Sequence, residues 1–102
     1  MKFLVLLRPR GNALPAPDPL AVNKAAKTYI GELRKSAFLE AAYAFAAGGG
    51  MAILDAPSHE RLWELIFEYP LYSAFDWEVE PLVDADYVFS RGIEMMQEAQ
   101  GG

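Results

Sequence analysis

An α+β domain of order β-α-β-β-α-β, with one antiparallel sheet and an added C-terminal helix, is the fold class that the sequence predicts. Three observations predict it. Residues 75–81 alternate strictly, Phe75, Trp77 and Val79 on one face and Asp76, Glu78 and Glu80 on the other. That is the period of a half-buried strand. Leu62, Leu65, Ile66 and Tyr69 recur at helical spacing just before it. Gly48-Gly49-Gly50 separates two apolar runs, 38–46 and 51–55, each the length of a strand. Glycine permits the positive-φ turn that folds one back on the other.

Each element follows in order. Residues 3–8 are nearly all apolar, as in a central strand covered on both faces. Arg8 closes this strand with the parity of Leu4 and Leu6. Residues 9–19 are rich in proline and glycine and lack a period, so they form a long loop, either the rim of a pocket or a solvated connection. Asp18-Pro19 starts the first helix, an N-cap acceptor before a proline at the first helical position. That helix covers 20–35, with Val22, Ala26, Tyr29, Ile30 and Leu33 on its apolar stripe and the charged residues outside it. In the second strand, 38–46, Leu39, Ala41, Tyr43 and Phe45 share one face and Phe38, Glu40, Ala42, Ala44 and Ala46 the other. Residues 51–55 form the third strand. Ser58 caps the second helix, Glu60 adds negative charge to its first turn, and Pro70 stops it. Residues 84–100 form the extra helix, capped by Asp84 or Asp86, with Val88, Phe89, Ile93 and Met96 on one stripe. Gly101-Gly102 is a frayed end. The expected division is a ferredoxin-like domain over 1–83 and a helical extension over 84–102.

Composition excludes several function classes. The chain has 102 residues, 53% of them hydrophobic and 13% aromatic, which predicts one globular domain. Net charge is −5, against the basic face that nucleic acid requires. There is no polybasic segment for an anionic membrane, and no apolar run approaches the roughly 20 residues of a spanning helix. The apolar run at 3–7 is also short for a signal peptide. With no cysteine there is no disulfide, thiolate nucleophile or cysteine metal site. A soluble cytoplasmic protein without nucleic-acid or membrane partners is the expectation.

Strand parity predicts a bulky helix-facing side built from Phe3, Val5, Leu7, Leu39, Tyr43, Phe45, Met51, Ile53, Phe75, Trp77 and Val79. The opposite, open side would carry Leu4, Leu6, Arg8, Phe38, Glu40, Ala42, Ala44, Ala52, Leu54, Asp76, Glu78 and Glu80. Such a mixture fits neither a solvated face nor a packed core. It fits two sheets packed face to face about a twofold, enclosing a partly wet pocket: a dimeric α+β barrel. Trp63 and Phe67 exceed what one sheet covers, so they meet either another subunit or the C-terminal helix.

Few residues carry chemistry. His59 is the single histidine and has polar neighbours, so it reads as a surface residue and no metal site is expected. The glycines lack the lysine and helix of a nucleotide loop. Tyr29 and Tyr43 read as core. Arg8, Glu40 and Glu78 remain as an open-face cluster. A carboxylate in an apolar barrel has a raised pKa and can shuttle a proton, so Glu40 and Glu78 are the candidate catalytic groups. Arg8, Leu6 and Leu54 are the candidate substrate contacts, Arg8 for a carboxylate. The alternative for the charged trio is an ion-pair network closing a dimer.

Asp55-Ala56-Pro57-Ser58, the leucine-rich helix, Tyr69-Pro70-Leu71 and Asp76-Trp77-Glu78-Val79 together resemble the C-terminal half of the muconolactone delta-isomerase family. Met1-Lys2-Phe3-Leu4-Val5 is similar to that family's opening strand. The likeness covers 1–83 in layout and is motif-like in 51–82. It implies the dimeric barrel, decamers among the isomerases, and proton transfer along a lactone without metal or cofactor. The family's proposed machinery is a glutamate on the first helix and a tyrosine and an asparagine entering the third strand. Those positions fall here at Ala25 or Ala26, Gly48 and Gly50, and polar residues of the first strand's barrel face fall at Leu4 and Leu6. The resemblance therefore implies the fold without the same reaction. Three functions are consistent with it: a cofactor-free isomerase or cyclase on a small hydrophobic or lactone-like molecule, a non-catalytic small-molecule binder, and a structural oligomer with a filled barrel.

Overall fold

A computed structural model describes residues 1–12 and 14–101. Ala13 of the long loop and the terminal Gly102 lie outside the described residues. The elements are β1 (Lys2–Pro9), α1 (Pro19–Lys35), β2 (Leu39–Ala44), β3 (Gly50–Asp55), α2 (His59–Phe67), β4 (Phe75–Pro81) and α3 (Ala85–Gly101), with a 3₁₀ turn at Tyr72–Ala74 before β4. The strands form one antiparallel sheet in the order β2-β3-β1-β4. This is the ferredoxin-like arrangement, with α1 and α2 on one face.

The helix ends follow local chemistry. The Asp18 carboxylate accepts from the Ala21 backbone N–H, and the Ser58 hydroxyl oxygen accepts from that of Arg61. The Asp84 carboxylate accepts from the Tyr87 N–H at 3.0 Å. Each satisfies a donor that the first helical turn leaves open. At the far end of α1, Phe38 N–H donates to Leu33 C=O and Ala37 N–H to Arg34 C=O. This closure needs a left-handed residue, and Ala37 supplies it with φ 62° where glycine is usual. Gly101 is the last residue of α3 rather than part of a frayed tail.

The core lies between sheet and helices. Phe3 and Val5 of β1 meet Leu33 of α1 and Leu62, Leu65 and Ile66 of α2, all buried. Directly opposite residues of an antiparallel pair share a face, so the register with β1 decides the faces of its neighbours. Phe3 pairs with Leu54 and Val5 with Ala52, which puts Leu54 and Ala52 on the helix side. Met51 and Ile53 pair with Leu6 and Leu4 and take the open side. The faces expected for this strand are therefore exchanged. The second strand is exchanged as well, over most of its length. A register shift between Leu39 and Ala41 adds a residue, so Leu39, Ala42 and Ala44 all face the helices. Tyr43 stands opposite Met51 on the open side, 68% exposed, and is not a core residue. Phe45 lies beyond the strand end.

The turn between β2 and β3 depends on glycine. Gly48 and Gly49 have φ of 106° and 78°. A Cβ at Gly49 would fall against the Leu7 carbonyl oxygen, so the turn packs backbone to backbone on β1. By contrast, no residue of α3 is buried. Trp63 and Phe67 stack on each other with centroids 4.9 Å apart and remain exposed, so α3 does not cover them.

Two outcomes check this packing. Leu65→Ala should cost about 2–5 kcal/mol, because it opens a cavity at the meeting of α2, β1 and α1. Ala37→Gly should gain about 1 kcal/mol by relieving the left-handed backbone. Urea unfolding measures both.

Candidate functional site

A cavity of about 250 Å³ lies between the sheet and the helices. Its floor is Val5, Leu7, Ala42, Ala52 and Leu54 from the inner face of the sheet. Its walls are Tyr29, Ile30 and Leu33 from α1, Leu65 and Ile66 from α2, and Tyr69, Phe75 and Trp77 from the segment that follows. The small residues Ala42, Ala44, Gly50 and Ala52 make the space, and the β2 register shift aims the two β2 alanines into it. The aromatic wall is braced. Trp77 is edge-on to Tyr69 at 5.8 Å and stacks with Tyr72 at 5.9 Å. Its indole N–H donates to the Tyr72 carbonyl at 2.9 Å.

Polar groups at the cavity are few. The Tyr29 phenol donates a short hydrogen bond to the Leu65 carbonyl. Burial penalises its phenolate, and the nearby Glu68 charge adds to this, so its pKa is pushed up to about 12. Burial also pushes the Tyr69 phenol up. Both are neutral phenols at physiological pH. With its proton committed to Leu65, Tyr29 keeps an oxygen that accepts. Among the described residues no carboxylate, histidine or cation lines the space.

The predicted site residues divide between the two faces of the sheet. Leu54 lines the cavity and is 5% exposed, on the helix side rather than the open side. Leu6, Arg8, Glu40 and Glu78 do not line it. Arg8 Nε donates to Glu78 Oε1 at 3.2 Å. Glu40 holds Lys2 Nζ at 2.7 Å, and this hydrogen bond, then the Glu40 charge, raises the Lys2 pKa. Arg10 pairs with Asp76 at 3.2 Å. All six charged groups are exposed in the protomer. They form separate ion pairs along the open face, and the expected trio of Arg8, Glu40 and Glu78 does not converge on one point. Among the described residues no group of three histidines, cysteines or carboxylates is placed to hold a metal. No helix among them is long and apolar enough to cross a membrane.

The cavity itself was not anticipated. Its signal was present in the pairing of small residues on β2 and β3 with aromatics after α2. Reading it required the bulge and the β1–β3 register.

The architecture defines a class, the α+β proteins of ferredoxin-like topology with a cavity beneath the helices. Solved structures narrow the likeness. Muconolactone isomerase, determined at 3.3 Å, superposes with a TM-score of 0.69 at 24% identity, covering 82% of this chain and 90% of that one. The 5-chloro-2-hydroxyhydroquinone dehydrochlorinase of Burkholderia phenoliruptrix AC1100, in complex with 2,5-dihydroxybenzoquinone, superposes with a TM-score of 0.68 at 16% identity, covering 85% and 98%. The chain thus has a muconolactone isomerase-like fold. No protein-family model matches the sequence, and no curated protein does.

The raised Tyr29 pKa has a consequence for stability. The folded state holds a proton that the unfolded chain releases near pH 10. The contribution is complete below that pH and is lost as pH rises through about 12. Thermal melts across this window should show Tm falling with pH, and Tyr29→Phe, which cannot ionise, should fall less.

Proposed function

We propose that the protein binds one small ring-shaped organic molecule in the cavity of each protomer and works as a homo-oligomer. The observation that carries this reading is the cavity, about 250 Å³ and lined by aliphatic and aromatic side chains. A dry apolar cavity of about 150 Å³ is enough for benzene. The space here suits a substituted single ring or a small bicycle, stacked against Trp77 and Tyr69. A structural neighbour holding 2,5-dihydroxybenzoquinone supports a ligand of that size.

A cofactor-free isomerase or cyclase is the catalytic form of the same reading. It needs a proton-transfer group within hydrogen-bond reach of the ligand. Glu40 and Glu78 stand across the sheet from the cavity, each in an ion pair, and the Tyr29 proton is engaged. Binding without turnover is therefore favoured over proton shuttling. The open face supports self-association. Leu4, Leu6, Met51 and Ile53 form a half-buried aliphatic centre between the ion pairs, suited to face-to-face packing of two sheets.

The binding test uses Trp77 as reporter. Trp63→Phe removes the only other tryptophan, an exposed one. Titration with 2,5-dihydroxybenzoquinone or 1-naphthol should quench Trp77 saturably. Ala52→Leu, which fills the floor, should weaken binding at least tenfold, while Glu40→Gln and Glu78→Gln leave it within twofold. Equal affinity in Ala52→Leu, or no saturable quenching, overturns the cavity reading. Conversion of a probe that stops in Glu40→Gln or Glu78→Gln would establish the catalytic form instead.

A further inference from the structure

The charge of α1 runs against that of the rest of the chain. Lys24, Lys27, Arg34 and Lys35 against Glu32 give this helix a net +3, four cations and one acid, in a chain of net −5. By helical spacing the four cations share one flank, and Glu32 lies off it. All four are exposed, and none is in an ion pair among the described residues. Cations on a surface helix are ordinarily a solvated face. Two of these are set apart by where they stand.

Lys27 and Arg34 line a groove between α1 and the segment after α2, together with Ile30, Gly31, Tyr69 and Leu71. Among the described residues no carboxylate lines it. Glu32 and Glu68, whose charges act on the Tyr29 phenol, line neither the groove nor the cavity. Ile30 and Tyr69 line both spaces, so the groove and the cavity adjoin at these two side chains. Burial keeps the Tyr69 phenol protonated, which leaves a neutral donor at the junction. One space is apolar and without charge. Its neighbour carries an ammonium and a guanidinium with no partner.

Gly31 stands between the two cations on the flank, four residues after Lys27 and three before Arg34. Glycine is disfavoured inside a helix. A Cβ here would meet nothing within 4 Å, so packing within the protomer does not require its absence. The missing side chain leaves the space between Lys27 and Arg34 clear. Charge then selects the kind of ligand that both spaces suit. An ionised group inside the cavity would lose its hydration and find no cation. An oxyanion held in the groove meets two charged donors, of which the guanidinium can bind it through two N–H groups.

We propose that the ring held in the cavity belongs to an anionic ligand, whose carboxylate or phosphate sits on a short tether that passes Ile30 and Tyr69 and lies in the groove between Lys27 and Arg34. The inference rests on the reading of the cavity as a ring-binding site, and adds to it the charge of the ligand and a second point of attachment. Lys24 and Lys35 do not line the groove and contribute only to the field that draws an anion toward it.

Calorimetric titration of the full chain compares three probes of one ring: 2-naphthoxyacetate, 2-naphthyl phosphate and the neutral 2-naphthoxyacetamide. At least one oxyanion should bind about tenfold more tightly than the amide, and the tighter of the two identifies the group that the groove takes. Lys27→Gln with Arg34→Gln should remove that advantage and leave the amide within twofold. Both side chains are exposed, so the variant keeps its fold, which circular dichroism verifies. Lys24→Gln with Lys35→Gln should keep most of the advantage. Ala52→Leu should weaken oxyanion and amide alike, because both place their ring in the cavity. Equal binding of all three probes leaves the cavity reading standing and overturns this one. So does an advantage that survives in the Lys27 and Arg34 variant, or one lost equally from the Lys24 and Lys35 variant, which would make it a property of the whole flank. An oxyanion whose affinity ignores Ala52→Leu separates groove from cavity and overturns the proposal as well. If no probe binds, the cavity reading falls and this inference falls with it.

Discussion

The pairing of β1 with β3 is the constraint on which the rest depends. With Phe3 opposite Leu54, every alternate side chain of β3 is committed to the helix side, and Leu54 joins the core with Leu62 and Leu65. A slip of one residue would send Met51 and Ile53 inward instead. The glycine turn holds this register in place, because its backbone lies directly against the Leu7 carbonyl. Burial of Phe3 and Val5, each worth about 1.5–3 kcal/mol, then follows from the same alignment.

That register also makes the cavity. Ala52 and Gly50 come inward from β3, and the extra residue in β2 brings Ala42 and Ala44 beside them. Four small residues cannot fill the space beneath Tyr29, Tyr69 and Trp77. The sheet divides two chemistries. Its inner face is apolar, with neutral phenols as the polar groups. Its outer face is a row of ion pairs around an aliphatic centre. The carboxylates Glu40 and Glu78 and the apolar cavity are thus kept on opposite sides of the sheet within a protomer.

The chain leaves apolar surface uncovered in more than one place. Tyr43, the Trp63–Phe67 stack and the stripe of α3 are all exposed, in a chain with net charge −5. Acid is spread over the sheet face, α2 and α3, much of it in ion pairs, while Lys24, Lys27, Arg34 and Lys35 of α1 are in none among the described residues.

Much of the fold was legible in local sequence. Asp18, Ser58 and Asp84 marked the helix starts, Pro70 fell beyond the end of α2, and the alternation at 75–81 matched β4 to the residue. These are signals between neighbours along the chain, where propensity and period act directly. Alternation also divided β1, β3 and β4 into two faces, but it cannot say which face looks inward. Leu54 and Tyr43 therefore exchanged places with the reading from parity alone, because an inter-strand register and a one-residue bulge are set by contacts distant in sequence. The candidate site shared that limit. Arg8 with Glu78 was legible as a face, Leu54 as a lining residue only of a different pocket, and the cavity of alanines and aromatics not at all. The sequence by itself determined element order, caps and the division of β1, β3 and β4 into two sides, while the register shift in β2 regrouped Leu39 with Ala42 and Ala44. Tertiary structure decided which side became core, because only strand pairing joins residues fifty positions apart.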